Sequence, residues 1–224
     1  MMRPLIKYCG NHSYTDLERT FSSRADFIGL IFTPKSRRTV QPEQAALWIK
    51  QLAPLGSKKL VGVFADDPPE HIFSVLRSVP LDILQFHGSE TPRTLAEIKK
   101  ATGLQVWKAI HHAPGALEKM RTFSGIADGF IIDTQVKGQL GGTGVAFDWA
   151  AIPDYQAEAR HQNASCLIAG GITPENIADL LHYDPMGIDI ASGIEQDFQK
   201  DRTKIFRIEK RVWNENDQTA ATGR

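Results

Sequence analysis

The chain has 224 residues, enough to bury one large α/β core, and no Ser/Gly/Pro linker or charge block divides it. Its 26 basic and 26 acidic side chains cancel and are dispersed, which removes the electrostatic footprint of a nucleic-acid or anionic-membrane binder and leaves a small molecule as the expected partner. Met1-Met2-Arg3-Pro4-Leu5-Ile6 lacks a signal-peptide core, no apolar run approaches the ~20 residues of a spanning helix, and two cysteines make no disulfide framework; a cytoplasmic enzyme with reduced thiols is expected.

Short β-rich apolar runs alternate with longer segments of helical period. The first run, Leu5 to Cys9, ends on a cysteine followed by Gly10. A free cysteine is commonly a small buried hydrophobe, the reading given to Cys166; at a strand tip Cys9 reads equally as a base or nucleophile, and neither cysteine has metal-binding spacing. The second run, Phe27 to Phe32, exits into Thr33-Pro34-Lys35-Ser36-Arg37-Arg38, where a guanidinium, Arg37 or Arg38, can grip a substrate carboxylate bidentately. Pro42 opens a helix over Glu43 to Leu52. After the run Leu60 to Phe64, the residues Ile72, Val75, Leu76 and Val79 repeat at i, i+3, i+4, i+7 and define one buried helical face.

The run Leu81 to Phe86 exits at His87, which reads either as a hydrogen-bonder at the core's edge or as a ligand contact. Gln105 to Ile110 exits at His111-His112, expected to be ordinary loop residues because their spacing suits no particular metal geometry. Gly129 to Asp133 puts a carboxyl at a strand tip, and the loop Gly138-Gln139-Leu140-Gly141-Gly142-Thr143-Gly144 follows. Apolar surroundings there favour the protonated acid, the form that donates a proton near neutral pH, while closely spaced glycines let main-chain N–H groups approach a ligand.

Cys166 to Ala169 leads to Gly170-Gly171, after which Thr173-Pro174-Glu175 reads as an N-cap with Pro at the first helical position. The eighth run, Gly187 to Ala191, leads to Ser192-Gly193. Asp189 inside it needs a partner or a purpose: orienting a hydroxyl near the site, or satisfying a barrel-end hydrogen bond. Ile205, Ile208 and Val212 mark a last helix, and the polar segment Asn214 to Arg224 is expected to be a frayed tail beyond a domain spanning 1–213.

Eight strand-helix units indicate a single-domain (β/α)8 TIM barrel, with an open doubly wound sheet as the lesser alternative. In a barrel the active site collects at the C-terminal ends of the strands, and phosphate commonly sits on backbone N–H groups of the last two βα loops. Gly170, Gly171, Ser192 and Gly193 occupy those loops.

Taken together, Lys7-Tyr8-Cys9-Gly10, Gly29-Leu30-Ile31-Phe32 leading to Ser36-Arg37-Arg38-Thr39-Val40, Val61-Gly62-Val63-Phe64, Leu84-Gln85-Phe86-His87-Gly88-Ser89-Glu90, Gly141-Gly142-Thr143-Gly144 with Phe147-Asp148-Trp149, Ala169-Gly170-Gly171-Ile172-Thr173-Pro174-Glu175-Asn176 and Gly187-Ile188-Asp189-Ile190-Ala191-Ser192-Gly193-Ile194-Glu195 resemble the phosphoribosylanthranilate isomerases of tryptophan biosynthesis. The likeness extends to about Val212. It implies an Amadori rearrangement of N-(5-phosphoribosyl)anthranilate to 1-(2-carboxyphenylamino)-1-deoxyribulose 5-phosphate, with no cofactor and no metal, by a monomer or homodimer. By the same resemblance Cys9 is the general base, Asp133 the general acid, Arg38 the reader of the anthranilate carboxylate, and Gly170, Gly171, Ser192 and Gly193 the phosphate site. His87, Gly142, Gly144 and Asp189 are expected to contact substrate, the glycines as a rim closing over it. Three positions depart from the family pattern. Arg37 stands where proline usually precedes the arginine, Ala191 replaces one of two serines, and Asn11-His12 follows the first strand, with His12 placed to tune Cys9.

Overall fold

A computed structural model describes residues 3–54, 56–134 and 148–221. In chain order these form β1 (Leu5–Tyr8), α1 (Tyr14–Phe21), β2 (Phe27–Ile31), α2 (Pro42–Leu52), β3 (Lys59–Phe64), α3 (Pro69–Ser78), β4 (Ile83–Phe86), α4 (Pro92–Thr102), β5 (Gln105–His112), α5 (Ala116–Arg121), β6 (Gly129–Thr134), α6 (Ile152–His161), β7 (Ser165–Ile168), α7 (Ile177–Leu181), β8 (Gly187–Ile190), β9 (Glu195–Gln196), β10 (Gln199–Lys200) and α8 (Arg202–Ala221). Strands β1 to β8 pair in parallel in sequence order, and β1 pairs β8 to close the barrel. The (β/α)8 class expected from the sequence is the one observed.

Two packed layers hold it together, and their membership tells inside from outside. One cluster joins strand residues such as Ile28, Leu84 and Phe130 to helix residues such as Ile49, Val75, Ile98 and Ile208; it is the sheath between barrel and helices. The other contains Phe27, Val61, Ile83, Trp107, Ile131 and Leu167 and no helix residue; it plugs the lumen. Because side chains alternate across a strand, the position two residues farther along from each plug residue also faces the lumen, one layer nearer the strand exits. That layer is mixed: Gln85 and Asp133 bring polar groups into it, while Gly29, Val63, Ala109 and Ala169 keep it small or apolar. Phe27 and Trp107 meet edge to face at 4.9 Å in the plug, so the cavity has a closed floor.

Helix starts follow their chemistry in α2, α3 and α4, each with proline in its first turn. At the Thr173-Pro174-Glu175 segment the expectation is corrected: α7 starts only at Ile177. Asn176 accepts from the Thr173 N–H at 2.8 Å and donates to the Gly171 carbonyl at 2.8 Å, tying these residues into a closed turn before the helix begins. At the other end, α8 carries helical backbone through Ala221, into the stretch read as a tail; neither Pro nor Gly interrupts the chain there before Gly223. Among the described residues no helix is long and apolar enough to cross a membrane.

Candidate active site

A cavity of about 740 Å³, counting its open mouth, lies at the C-terminal ends of the strands. Cys9, Arg38, His87, Asp133 and Asp189 line it, and both glycine loops reach it through Gly170-Gly171 and Ser192-Gly193. Gly142 and Gly144, expected at the rim, lie outside the described residues.

Cys9 continues β1 by one residue, its N–H donating to the Ile190 carbonyl of β8 at 2.9 Å. Its sulfur leans toward β2, where Gly29 makes the room: a Cβ at that position would stand 2.7 Å from Sγ. Beneath it lies a residue that chemistry-by-motif reading passed over. Lys7, two residues back and so on the same lumen face, is fully buried and places Nζ 2.9 Å from each carboxylate oxygen of Asp189. The partner that Asp189 needs is therefore Lys7, its register partner across β1 and β8. Burial pushes the Cys9 thiol up; attraction to the Lys7 ammonium offsets this only in part, and the thiol stays above its ordinary value.

Of the two adjacent arginines, Arg38 is buried and lines the cavity, whereas Arg37 is exposed with its guanidinium 4.6 Å from the Phe198 ring centroid. Nε and Nη2 of Arg38 form a fork on Glu195 at 2.8 and 2.7 Å, leaving Nη1 outside the fork. Glu195 also accepts from Lys200 Nζ at 2.8 Å, and that ammonium donates to the Ala191 carbonyl at 3.0 Å. Burial pushes the Glu195 carboxyl up, and the Arg38 fork and Lys200 outweigh it, holding the group below the usual carboxylate range. The short β9-β10 hairpin thus exists, in functional terms, to bring Glu195 and Lys200 back over the barrel mouth. Phe198 at its turn has φ +65°, a costly conformation for a bulky side chain, and its ring lies under the Arg38 guanidinium and packs at a tilt against His12. His12 meets Asp16 at 3.0 Å and the Gly10 carbonyl at 3.3 Å, so its ring is committed to the α1 side of the loop and not to Cys9.

Three strands away around the barrel stands Asp133, 4% exposed at the end of β6. His87 Nε2 is 3.4 Å from its Oδ2, and His87 Nδ1 meets Gln85 Nε2 at 3.2 Å. His111 is where the sequence reading fails: it is a strand residue, not a loop residue. β5 runs two residues past Ile110, pairs His111 with Asp133 in register and turns the His111 ring inward beside His87, centroids 5.6 Å apart. Burial lowers its proton affinity, and the neighbouring His87 lowers it further. One donor atom from each of His87, His111 and Asp133 falls within 4.8 Å of the others, close enough to share a proton or a small cation. Alternation along β5 from Trp107 through Ala109 was the available signal.

The last two βα loops bring backbone to the wall. Gly170 and Gly171 have φ of +85° and +66°, and Ser192–Ile194 forms a 3₁₀ turn. A Cβ on Gly193 would stand 1.7 Å from the Ile172 carbonyl oxygen, so the two loops touch and only glycine permits it. Main-chain N–H groups gathered in this way suit an anion.

Comparison with known proteins agrees with this architecture. Residues 6–211 match the protein family described as N-(5'-phosphoribosyl)anthranilate (PRA) isomerase. The chain is 52% identical over 207 residues to the N-(5'-phosphoribosyl)anthranilate isomerase of Geobacillus thermodenitrificans, covering 92% of this chain and 93% of that protein. Among solved structures it is similar to the phosphoribosyl anthranilate isomerase of Thermotoga maritima, with a TM-score of 0.80 and 28% identity over 94% of this chain and 99% of that one. A further isomerase structure, solved in complex with reduced 1-(o-carboxyphenylamino)-1-deoxyribulose 5-phosphate, superposes with a TM-score of 0.78 at 28% identity over the same shares of the two chains.

Proposed function

The chain belongs to the N-(5'-phosphoribosyl)anthranilate isomerase family, an enzyme of tryptophan biosynthesis, and from that premise we propose that Cys9 is its general base and Asp133 its general acid. One observation carries the assignment: Cys9 after β1 and Asp133 of β6 line one cavity, together with Arg38 and both paired glycine loops. The substrate has a carboxylate and a phosphate at its two ends and the reacting carbons between them.

In this reading Asp133 gives its proton to the furanose ring oxygen. The bond from that oxygen to C1′ breaks, and the nitrogen lone pair closes to an iminium ion. The positive charge acidifies C2′, from which the Cys9 thiolate removes the proton, and the electron pair forms the enolamine. Loss of the C2′ hydroxyl proton and protonation of C1′ give the ketone. Each positioned transfer is worth about 10²- to 10⁴-fold. Arg38 Nη1, outside the Glu195 fork, is the donor offered to the anthranilate carboxylate. Gly170, Gly171, Ser192 and Gly193 hold the phosphate, and binding far from the reacting carbon supplies orientation. His87 bears on the substrate beside Asp133. The same reading has one domain, 1–213, work in the cytoplasm without a cofactor.

The test is disappearance of freshly generated N-(5'-phosphoribosyl)anthranilate. Cys9→Ala and Asp133→Asn should each lower turnover by about 10²- to 10⁴-fold while a reduced product analogue still binds. Near-normal turnover in either variant overturns that residue's role.

A further inference from the structure

We propose that the Lys7–Asp189 ion pair is a positioning device for the base, setting from below how readily Cys9 exists as thiolate. This rests on the reading of Cys9 as the base, but its geometry stands apart from it. Lys7 and Cys9 project from alternate positions of one strand into the same lumen, and Asp189 forms part of the cavity wall with Cys9. The layer beneath is an apolar plug. Two packed aliphatic side chains could close that floor at least as well as a buried ion pair, whose desolvation cost commonly cancels its attraction. A lysine with no exposed surface directly under a thiol is therefore better explained by what its charge does to the sulfur than by what it adds to the fold.

Every charged group around Cys9 enters the balance. Lys7 comes from β1, Asp189 from β8, Lys200 with its partner Glu195 from the β9-β10 hairpin, and Arg38 from the loop after β2; β2 itself presents Gly29. Lys7 and Lys200 favour the thiolate, and Asp189 opposes it. The Glu195 carboxylate is already shared between Arg38 and Lys200, and among the charged groups Lys7 and Asp189 act most strongly on the sulfur, in opposite senses. They work as a matched pair: Asp189 keeps the buried ammonium charged, and the ammonium keeps the thiolate within reach. No proton needs to pass through either group.

The two halves of one ion pair should then move the thiol in opposite directions, which a merely structural pair cannot do. The readout is the pH dependence of iodoacetamide alkylation at Cys9, followed by mass spectrometry in the substrate-free protein. Fully buried Cys166, with its thiol pushed up to about 12, serves as the internal control. Lys7→Met should shift the Cys9 midpoint alkaline by about 1–3 pH units, and Asp189→Asn should shift it acid. The double variant Lys7→Met/Asp189→Leu, which leaves no unpaired buried charge and so protects against simple unfolding, should lie between wild type and Lys7→Met. Equal midpoints in all four proteins, or shifts of the same sign in both single variants, would overturn the proposal. Failure of the base assignment would appear elsewhere, as normal turnover in Cys9→Ala with these alkylation shifts intact.

Discussion

The two sides of the cavity are built on opposite electrostatic plans. Around Cys9 every charge is committed: Lys7 to Asp189, and Arg38 and Lys200 to Glu195, all of them buried. Around Asp133 the neighbours are two imidazoles whose inward nitrogens, His87 Nε2 and His111 Nδ1, make no hydrogen bond among the described residues. A base that must lose a proton in a desolvated place needs fixed positive charge nearby. An acid that must hold one until substrate arrives needs the absence of such fixed charge, and burial disfavours a charge on the neighbouring His111. Under the proposed roles, the difference teaches that the side of Cys9 is preorganised before substrate binds, while the side of Asp133 keeps polar capacity for what enters.

The largest effect should come from breaking the committed side. Glu195→Gln removes the countercharge shared by Arg38 and Lys200, and losing one partner of a buried pair costs about 3–5 kcal/mol. Urea unfolding should show that loss, and KM should rise as Arg38 loses its fork; a change below about 1 kcal/mol would mean the hairpin pair is solvated like a surface bridge.

A smaller effect sharpens the contrast through pH. Burial raises the Cys9 thiol, so if Cys9 is the base and acts unprotonated, kcat/KM should climb with pH from neutrality through the ordinary thiol value of about 8.5. A profile flat from about pH 6 to 9 would remove Cys9 from that limb. The smallest effect belongs to the acid side. His111→Ala should cost about 0.5–1.5 kcal/mol of stability, the worth of an edge-on ring pair, and should lower kcat far less than Asp133→Asn does; a loss as large as that of Asp133→Asn would make His111 part of the proton path.

The same contrast governs how far the sequence could be read. The strands, their exits and the residues on them were legible because a period of two and glycine after a strand are local signals: Cys9, His87, Asp133 and Gly170-Gly171 all follow from them. Lys7 shares the parity of Cys9 and was readable in principle, hidden only because a lysine in a strand is ordinarily taken as solvated. His111 was misplaced because β5 outlasts its apolar run by two residues. Glu195 closes the last of the family-like motifs, yet nothing local to it or to Lys200 points to their partners. Glu195 lies 157 residues from Arg38 in the chain, and only closure of β8 beside β1 makes them neighbours. The start of α7 was likewise decided by Asn176 bonding to Gly171 and Thr173, which no capping pattern in the segment announces.

The division of labour between the two sides is tested most directly with substrate deuterated at C2′. If Asp133 opens the ring and Cys9 then takes the C2′ hydrogen, Cys9→Ser should slow proton removal and show a full primary isotope effect, whereas Asp133→Asn should make ring opening limiting and show almost none. A full isotope effect in Asp133→Asn, or none in Cys9→Ser, would contradict the account.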